Sequence, residues 1–215
     1  MNKNEKELKY TAVILAGGFS KRFGRDKLFE KINGISVIDH SVYHFNNDPL
    51  CERIFLLVRA TSFDHFRKHF RFDNKIVCVK AESTRIKSAQ EAVKLVKSKY
   101  VFFHDASRPF LSNELLNNLK DELVFLANGV VPAVNVNQSL IKIVNKVRQY
   151  VDSDNYYFSQ TPEAYVTDKI KVAFESNPKI KLNTEIYEIY EQKFDDLQII
   201  NGDVSNKTII FESDL

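Results

Sequence analysis

The chain has 215 residues, 44% hydrophobic and 12% aromatic, enough to bury one substantial core. Its 31 basic and 28 acidic residues leave a net charge of only +3, which excludes a general nucleic-acid binder and makes any anion site a local one. Cys51 and Cys78 have neither metal-ligand spacing nor the density of a disulfide scaffold, so both read as buried thiols. The opening MNKNEKELKY is charged, and the apolar run after it is too short for a signal core or a membrane span, so a soluble cytoplasmic protein is expected.

In chain order, TAVIL (11–15) is a strand run that breaks into GGFSKRFGRDK. Gly17 and Gly18 let the backbone approach a ligand, and Lys21, Arg22, Arg25 and Lys27 with turn N–H groups would cradle a polyphosphate. The spacing is neither the dinucleotide G-x-G-x-x-G nor a P-loop, which indicates a different nucleotide fold. The plainer alternative is a turn with solvated charges. Further strand runs follow at RIFLLV (53–58), KIVCV (75–79), YVFFH (100–104) and GVVPAV (129–134), alternating with helical patterns. That alternation argues a mostly parallel sheet with crossover helices, and such sheets bind ligands at the C-terminal edge of their strands.

Between the strands, His65 and His69 have i, i+4 spacing without a third ligand or a glutamate, so a helix surface is expected. Ile86, Ala89, Val93 and Val96 share one helical face, as do Leu115, Leu119, Glu122 flanked by Leu123 and, less strictly, Leu126. Arg85 and Ser88 stand near the start of the first of these helices, where free amides can meet a base or phosphate. Asp105 follows the YVFFH strand and emerges at the ligand edge; its plainer role is to begin a turn with Arg108 as surface partner. SLIKIVNKVRQYV (139–151) alternates like a hairpin and reads as a projecting arm, while the aromatic cluster at 155–165 reads as sheet and interface packing. Thr161 with Pro162 would by the plain reading start a helix. No repeat or linker divides the chain, so residues 1–215 are expected to form a single domain with an arm at about 136–158.

L-A-G-G-x-x-x-R-x-G-x-x-K at 15–27 is similar to the signature loop of nucleotidyltransferases that build nucleotide-activated sugars and polyols. HDASRPF (104–110) and QTP (160–162) narrow this, because they resemble the H-D-A-x-R-P-F and Q-T-P-Q motifs of the 2-C-methyl-D-erythritol 4-phosphate cytidylyltransferase family and its ribitol 5-phosphate sibling. ESTRIKSAQEA (82–92) is similar to the family's G-G-x-x-R-x-x-S-V stretch, and GDVSNKTIIFESDL (202–215) to its closing G-x-x-x-N-x-K-I-T segment.

The resemblance implies a Rossmann-like α/β fold and transfer of CMP from CTP to a polyol phosphate, in which no side chain acts as nucleophile. Catalysis then rests on position and charge neutralisation, with Arg22, Lys27 and Lys207 as the matching cations. It assigns the nucleotide to Leu15, Ala16, Gly17, Gly18, Arg22, Lys27, Ala81, Glu82, Arg85, Ser88, Asp105 and Ala106. It assigns the acceptor to Arg108, Gln138, Ser139, Thr161 and Thr208, and Mg²⁺ to Asp105, an oxygen ligand of the kind that ion prefers. No nucleic acid or membrane is implied as partner, and a homodimer through the arm is. Three positions depart from the family: Gln138-Ser139-Leu140-Ile141 stands for D-T-[IM]-K, Ser153 for an arginine, and Thr208 for the closing lysine unless Lys207 is shifted into place. Ala81-Glu82 replaces G-G, which bears on the choice of base. The alternatives are a ribitol 5-phosphate enzyme and a nucleotide-binding relative without acceptor chemistry.

Overall fold

The structure, a computed structural model, describes residues 8–177, 181 and 184–215. Its first strand, β1 (Tyr10–Ala16), is buried along its whole length. Tyr10, Ala12, Ile14 and Ala16 enter one apolar layer and Val13 and Leu15 the other, so the strand is apolar on both faces. Two short strands, β2 (Lys31–Ile32) and β3 (Ile35–Ser36), precede α1 (Val37–Asn47). Then follow β4 (Cys51–Val58), α2 (Phe63–His69), β5 (Ile76–Lys80), α3 (Arg85–Leu95), β6 (Tyr100–Asp105), α4 (Asn113–Phe125) and β7 (Gly129–Asn135). After β7 come β8 (Leu140–Val144), β9 (Val147–Val151), β10 (Tyr157–Ser159), β11 (Glu163–Val166), α5 (Thr167–Ser176), α6 (Ile186–Glu191) and β12 (Leu197–Asn201).

β1 lies inside the sheet. It runs parallel to β4 on one side and β6 on the other, and β5 extends the sheet parallel to β4. β11 enters antiparallel beside β6 and also pairs with β7, which takes β10 antiparallel and β12 parallel. The expected α/β class with a mostly parallel sheet is therefore the one observed. The helices cover both faces because each buries apolar side chains, and three have capped starts: Ser36, Thr84 and Ser112 accept N–H bonds at the first turns of α1, α3 and α4. Phe45, Phe66, Leu115 and Leu119 belong to one core layer, and Ala89, Val93, Ile170, Phe174 and Tyr190 to the other.

Several expectations need correction. Leu126 is three-quarters exposed at the end of α4, because the helix terminates there and its side chain leaves the apolar face. Cys51 is buried but Cys78 only partly, since β5 is the outer strand on that side of the sheet. Pro162 leads into strand β11 rather than a helix, since residues 163–166 are captured between β6 and β7. The hairpin is narrower than 136–158: β8 and β9 pair only with each other, and Tyr157 and Phe158 already belong to the main sheet through β10. Asn145 and Lys146 turn the hairpin with positive φ of 49° and 68°, as two-residue hairpin loops require. In the aromatic cluster, Tyr165 is core, whereas Tyr156, Tyr157 and Phe158 are exposed. His65 and His69 lie on the surface of α2, as expected, with His69 paired to Asp39 at 2.7 Å.

Candidate active site

Loops at the C-terminal ends of β1, β4, β5 and β6 converge on a cavity of about 630 Å³, within the usual range for a small-molecule site. The sheet register explains the convergence, since Ala16 lies level with Val58 and Leu15 with Asp105. Leu15, Ala16, Gly17, Gly18, Arg22, Lys27, Ala81, Glu82, Arg85, Ser88, Asp105 and Ala106, every residue the sequence assigned to the nucleotide, line this one cavity. Lys21 lines it as well, and Phe19, Arg59, Thr61, Ser107 and Ile210 are among the lining residues that were not singled out.

The glycine loop is fixed by local chemistry. A side chain at Gly17 would bring its Cβ to 2.8 Å from that of Ala81, so the glycine permits the first and third loops to touch. Gly18 has open space around it and is free to face a ligand. Asp26 caps a 3₁₀ turn over Lys27–Phe29 and pairs with Arg59, which ties the loop to the end of β4. Lys27 is thereby held half-buried, with its Nζ donating to the Ile209 carbonyl. An ammonium has three N–H groups, so two remain for a phosphate. Burial, and then the neighbouring Arg22, lower the pKa of Lys27. Arg25 departs from expectation: its guanidinium turns away from the cavity to Glu30 at 2.6 Å and Glu212 at 2.7 Å, two carboxylates that out-compete solvent for it.

On the far wall, Thr84 caps α3, and the Ser88 hydroxyl donates to the Thr84 carbonyl at 2.8 Å while accepting the Glu82 N–H at 2.9 Å. Ser88 is therefore a staple for the Ala81–Thr84 loop. Arg85 reaches across to Asp105, donating from Nε to Oδ1 at 2.9 Å; Oδ2 has no hydrogen-bond partner among the described residues. Burial alone would raise the Asp105 pKa, but Arg85 overrides it and holds the carboxyl ionised below its usual range. Asp105 does begin a turn, closed by the Arg108 N–H on its carbonyl at 2.9 Å, but its carboxylate pairs with Arg85 rather than with the Arg108 side chain. Behind Asp105, its own N–H donates to Thr161 Oγ1 at 3.0 Å, and Thr161 also contacts His104, a fully buried imidazole whose pKa burial lowers to about 4.

The residues assigned to the acceptor lie outside the cavity lining. Thr161 is buried behind Asp105. Arg108 donates to the carbonyls of Asn206 at 2.8 Å and Ser159 at 3.3 Å, and its buried Nε has no partner among the described residues. Gln160 and Thr161 are stitched to the closing segment, Gln160 through Asp203 and Thr161 through the Asn206 side-chain amide at 2.8 Å. That stitching, with the Arg108 bond to the Asn206 carbonyl, brings the backbone at Asn206 to Arg108; the next residues are Lys207, exposed, and Thr208, half-buried. Gln138 and Ser139 are exposed at the root of the hairpin and touch none of these groups. The structure thus gathers Arg108, Thr161 and the 206–208 segment, and leaves Gln138 and Ser139 apart.

A charged residue behind the cavity also escaped the sequence reading. Glu163, 2% exposed, lies behind Arg85 at the position where the Q-T-P-Q motif ends in glutamine. Burial pushes its pKa up to about 7 against the pull of Arg85 and the Tyr165 hydroxyl. The signal was present in the fourth position of that motif.

Comparison with known proteins gives the family. The family model for 2-C-methyl-D-erythritol 4-phosphate cytidylyltransferase matches residues 10–215. The enzyme of that name from Bacillus licheniformis is 28% identical over 216 residues, spanning 97% of this chain and 93% of the relative. A bifunctional enzyme IspD/IspF from Pelagibacter ubique is 32% identical over 210 residues, spanning 94% of this chain and 55% of the relative. Among solved structures, 4-diphosphocytidyl-2C-methyl-D-erythritol synthase from Anaerococcus prevotii superposes with a TM-score of 0.84 at 22% identity, covering 100% of this chain and 96% of its own.

Proposed function

This chain belongs to the 2-C-methyl-D-erythritol 4-phosphate cytidylyltransferase family, and we infer that it transfers the cytidylyl group of CTP to 2-C-methyl-D-erythritol 4-phosphate, a step of isoprenoid-precursor synthesis. A phosphate oxygen of the acceptor attacks the α-phosphorus of CTP, the bond to the β-phosphate oxygen breaks, and pyrophosphate leaves. The observation that carries this reading is the assembly of all twelve nucleotide-assigned residues around one cavity.

In that cavity Lys27 and Arg22 supply positive charge where the pentacoordinate phosphorus accumulates negative charge, and the backbone of Ala16–Gly18 holds the triphosphate. Arg85, Ala81 and Glu82 form the wall against which the base lies. The acceptor enters from the side of Arg108, Thr161 and Lys207. Asp105 suits Mg²⁺: its Oδ2 is free of hydrogen bonds, and no cluster of three ligating side chains exists among the described residues, so the donor set fits an ion shared with substrate phosphates. When bound there, the metal supplies further neutralisation of phosphate charge.

The hairpin supports a two-fold homodimer. Ile141, Ile143, Val147 and Tyr150 are all more than half exposed on a two-stranded unit that pairs with no other strand among the described residues, and such a unit is marginal alone in water. Two free thiols suit a reducing, cytoplasmic setting, and among the described residues no helix is long and apolar enough to cross a membrane. The test of function is pyrophosphate release from CTP with 2-C-methyl-D-erythritol 4-phosphate, with the cytidine diphosphate product identified by mass. CTP binding without release would reduce the protein to a nucleotide binder.

A further inference from the structure

Arg85 has a carboxylate at each of its three nitrogens. Nε donates to Asp105 at 2.9 Å, Nη1 to Glu185 at 2.9 Å, and Nη2 approaches Glu163 at 3.5 Å. The three partners differ in surroundings. Glu185 is 42% exposed on its side chain, so water competes with it, and Asp105 faces the cavity. Glu163 alone is sealed in the core and outside the cavity lining. Residues 163 and 165 alternate to the same face of β11, and this lets the Tyr165 hydroxyl donate to Glu163 Oε2 at 2.7 Å and fix the carboxylate from behind.

We propose that Glu163 is a positioning residue for the nucleotide half of the site, holding Arg85 so that the Asp105 carboxylate keeps its orientation toward the cavity. A guanidinium is planar, so anchoring its Nη2 edge on a rigid group sets where Nε points. Nε in turn is the one hydrogen-bond partner of the Asp105 carboxylate among the described residues. The head group, rather than the charge, is what matters. A glutamine at 163 accepts from Arg85 through its oxygen and donates from its amide to the Tyr165 oxygen, preserving both contacts.

The proposal rests on the nucleotide reading of this cavity, and its test separates the two. CTP affinity is measured by calorimetry, and kcat by pyrophosphate release, for Glu163→Leu, Glu163→Asp and Glu163→Gln. Leucine leaves the Tyr165 hydroxyl and Arg85 Nη2 without this partner; aspartate keeps the charge but withdraws it by one methylene. Both are expected to weaken CTP binding about tenfold while kcat at saturating CTP changes less than about threefold. Glutamine is expected to stay within about twofold of wild type in both quantities. A folded leucine or aspartate variant with wild-type CTP affinity overturns the assignment. So does a glutamine variant that loses kcat, which would make the carboxyl a proton donor, or unfolding of both the leucine and aspartate variants, which would make Glu163 a stability residue only. If the wild-type protein binds CTP and transfers nothing, the functional reading fails while the binding comparison still decides the role of Glu163.

Discussion

The nucleotide cavity and the β8–β9 hairpin are built on opposite principles. In the cavity most charged groups have partners: Asp26 with Arg59, Arg85 with three carboxylates, Lys27 with the Ile209 carbonyl. In the hairpin every residue from Ile141 to Tyr150 is exposed, and half of the side chains from 140 to 151 are apolar. A preorganised site keeps its geometry before substrate arrives, whereas an apolar ribbon needs a second surface to complete it. Mutations in the first region should therefore read out in chemistry and CTP binding, and mutations in the second in assembly.

The largest effect is expected at Lys27. Lys27→Ala should lower kcat by about a hundredfold or more with an unchanged melting curve, as loss of one preorganised charge stabiliser does; near-normal turnover in a folded variant would remove Lys27 from the chemistry. Gly17→Val drives a side chain into Ala81, so the two loops must separate, and CTP affinity should fall about tenfold in a calorimetric titration.

Acid should loosen the layer behind Asp105 next. His104 is folded around its neutral form, with a pKa near 4 against 6.5 for the free side chain. A depressed folded pKa means that the stability it contributes is fully present above pH 6.5 and is lost as pH falls toward 4. The loss is on the order of 2–3 kcal/mol, and chemical denaturation across that window, compared with His104→Gln, measures it. An unchanged slope in the variant would place the acid sensitivity elsewhere.

Disrupting the hairpin should have a smaller effect, and of a different kind. Ile143→Asp is expected to give a monomeric mass by light scattering, while CTP affinity stays within about twofold of wild type. A large loss of CTP affinity would erase the distinction between the two regions. The smallest effect is expected at Arg25, whose charge is directed to Glu30 and Glu212 at the surface. Arg25→Ala should change CTP affinity by less than about twofold, which sets it apart from Lys27 only two residues away.

Much of the cavity was legible in the sequence because its ligand edge is made of motifs in which residue type and spacing dictate the chemistry. A strand running into Gly17-Gly18 and then Arg22 and Lys27 has few other uses, and an acid directly after YVFFH must emerge at the sheet's edge. What stayed hidden were the partners of the charges. Arg25 is diverted by Glu30, five residues on, and by Glu212, which arrives from the C-terminal segment and has no local signal. Nothing near Glu163 in the chain announces Arg85, which lies 78 residues earlier.

The strands of the first two thirds of the chain, the hairpin and the nucleotide loop were determined by the sequence itself, since apolar runs, period-two alternation and glycine breaks act over a few residues. Tertiary structure alone decided the antiparallel insertion of β11 between β6 and β7, the parallel pairing of β12 along β7, and the stitching of Gln160 and Thr161 to residues 203–206. Those elements are short, and their backbone groups find partners far along the chain, so their conformation is fixed by the surface that receives them rather than by their own composition.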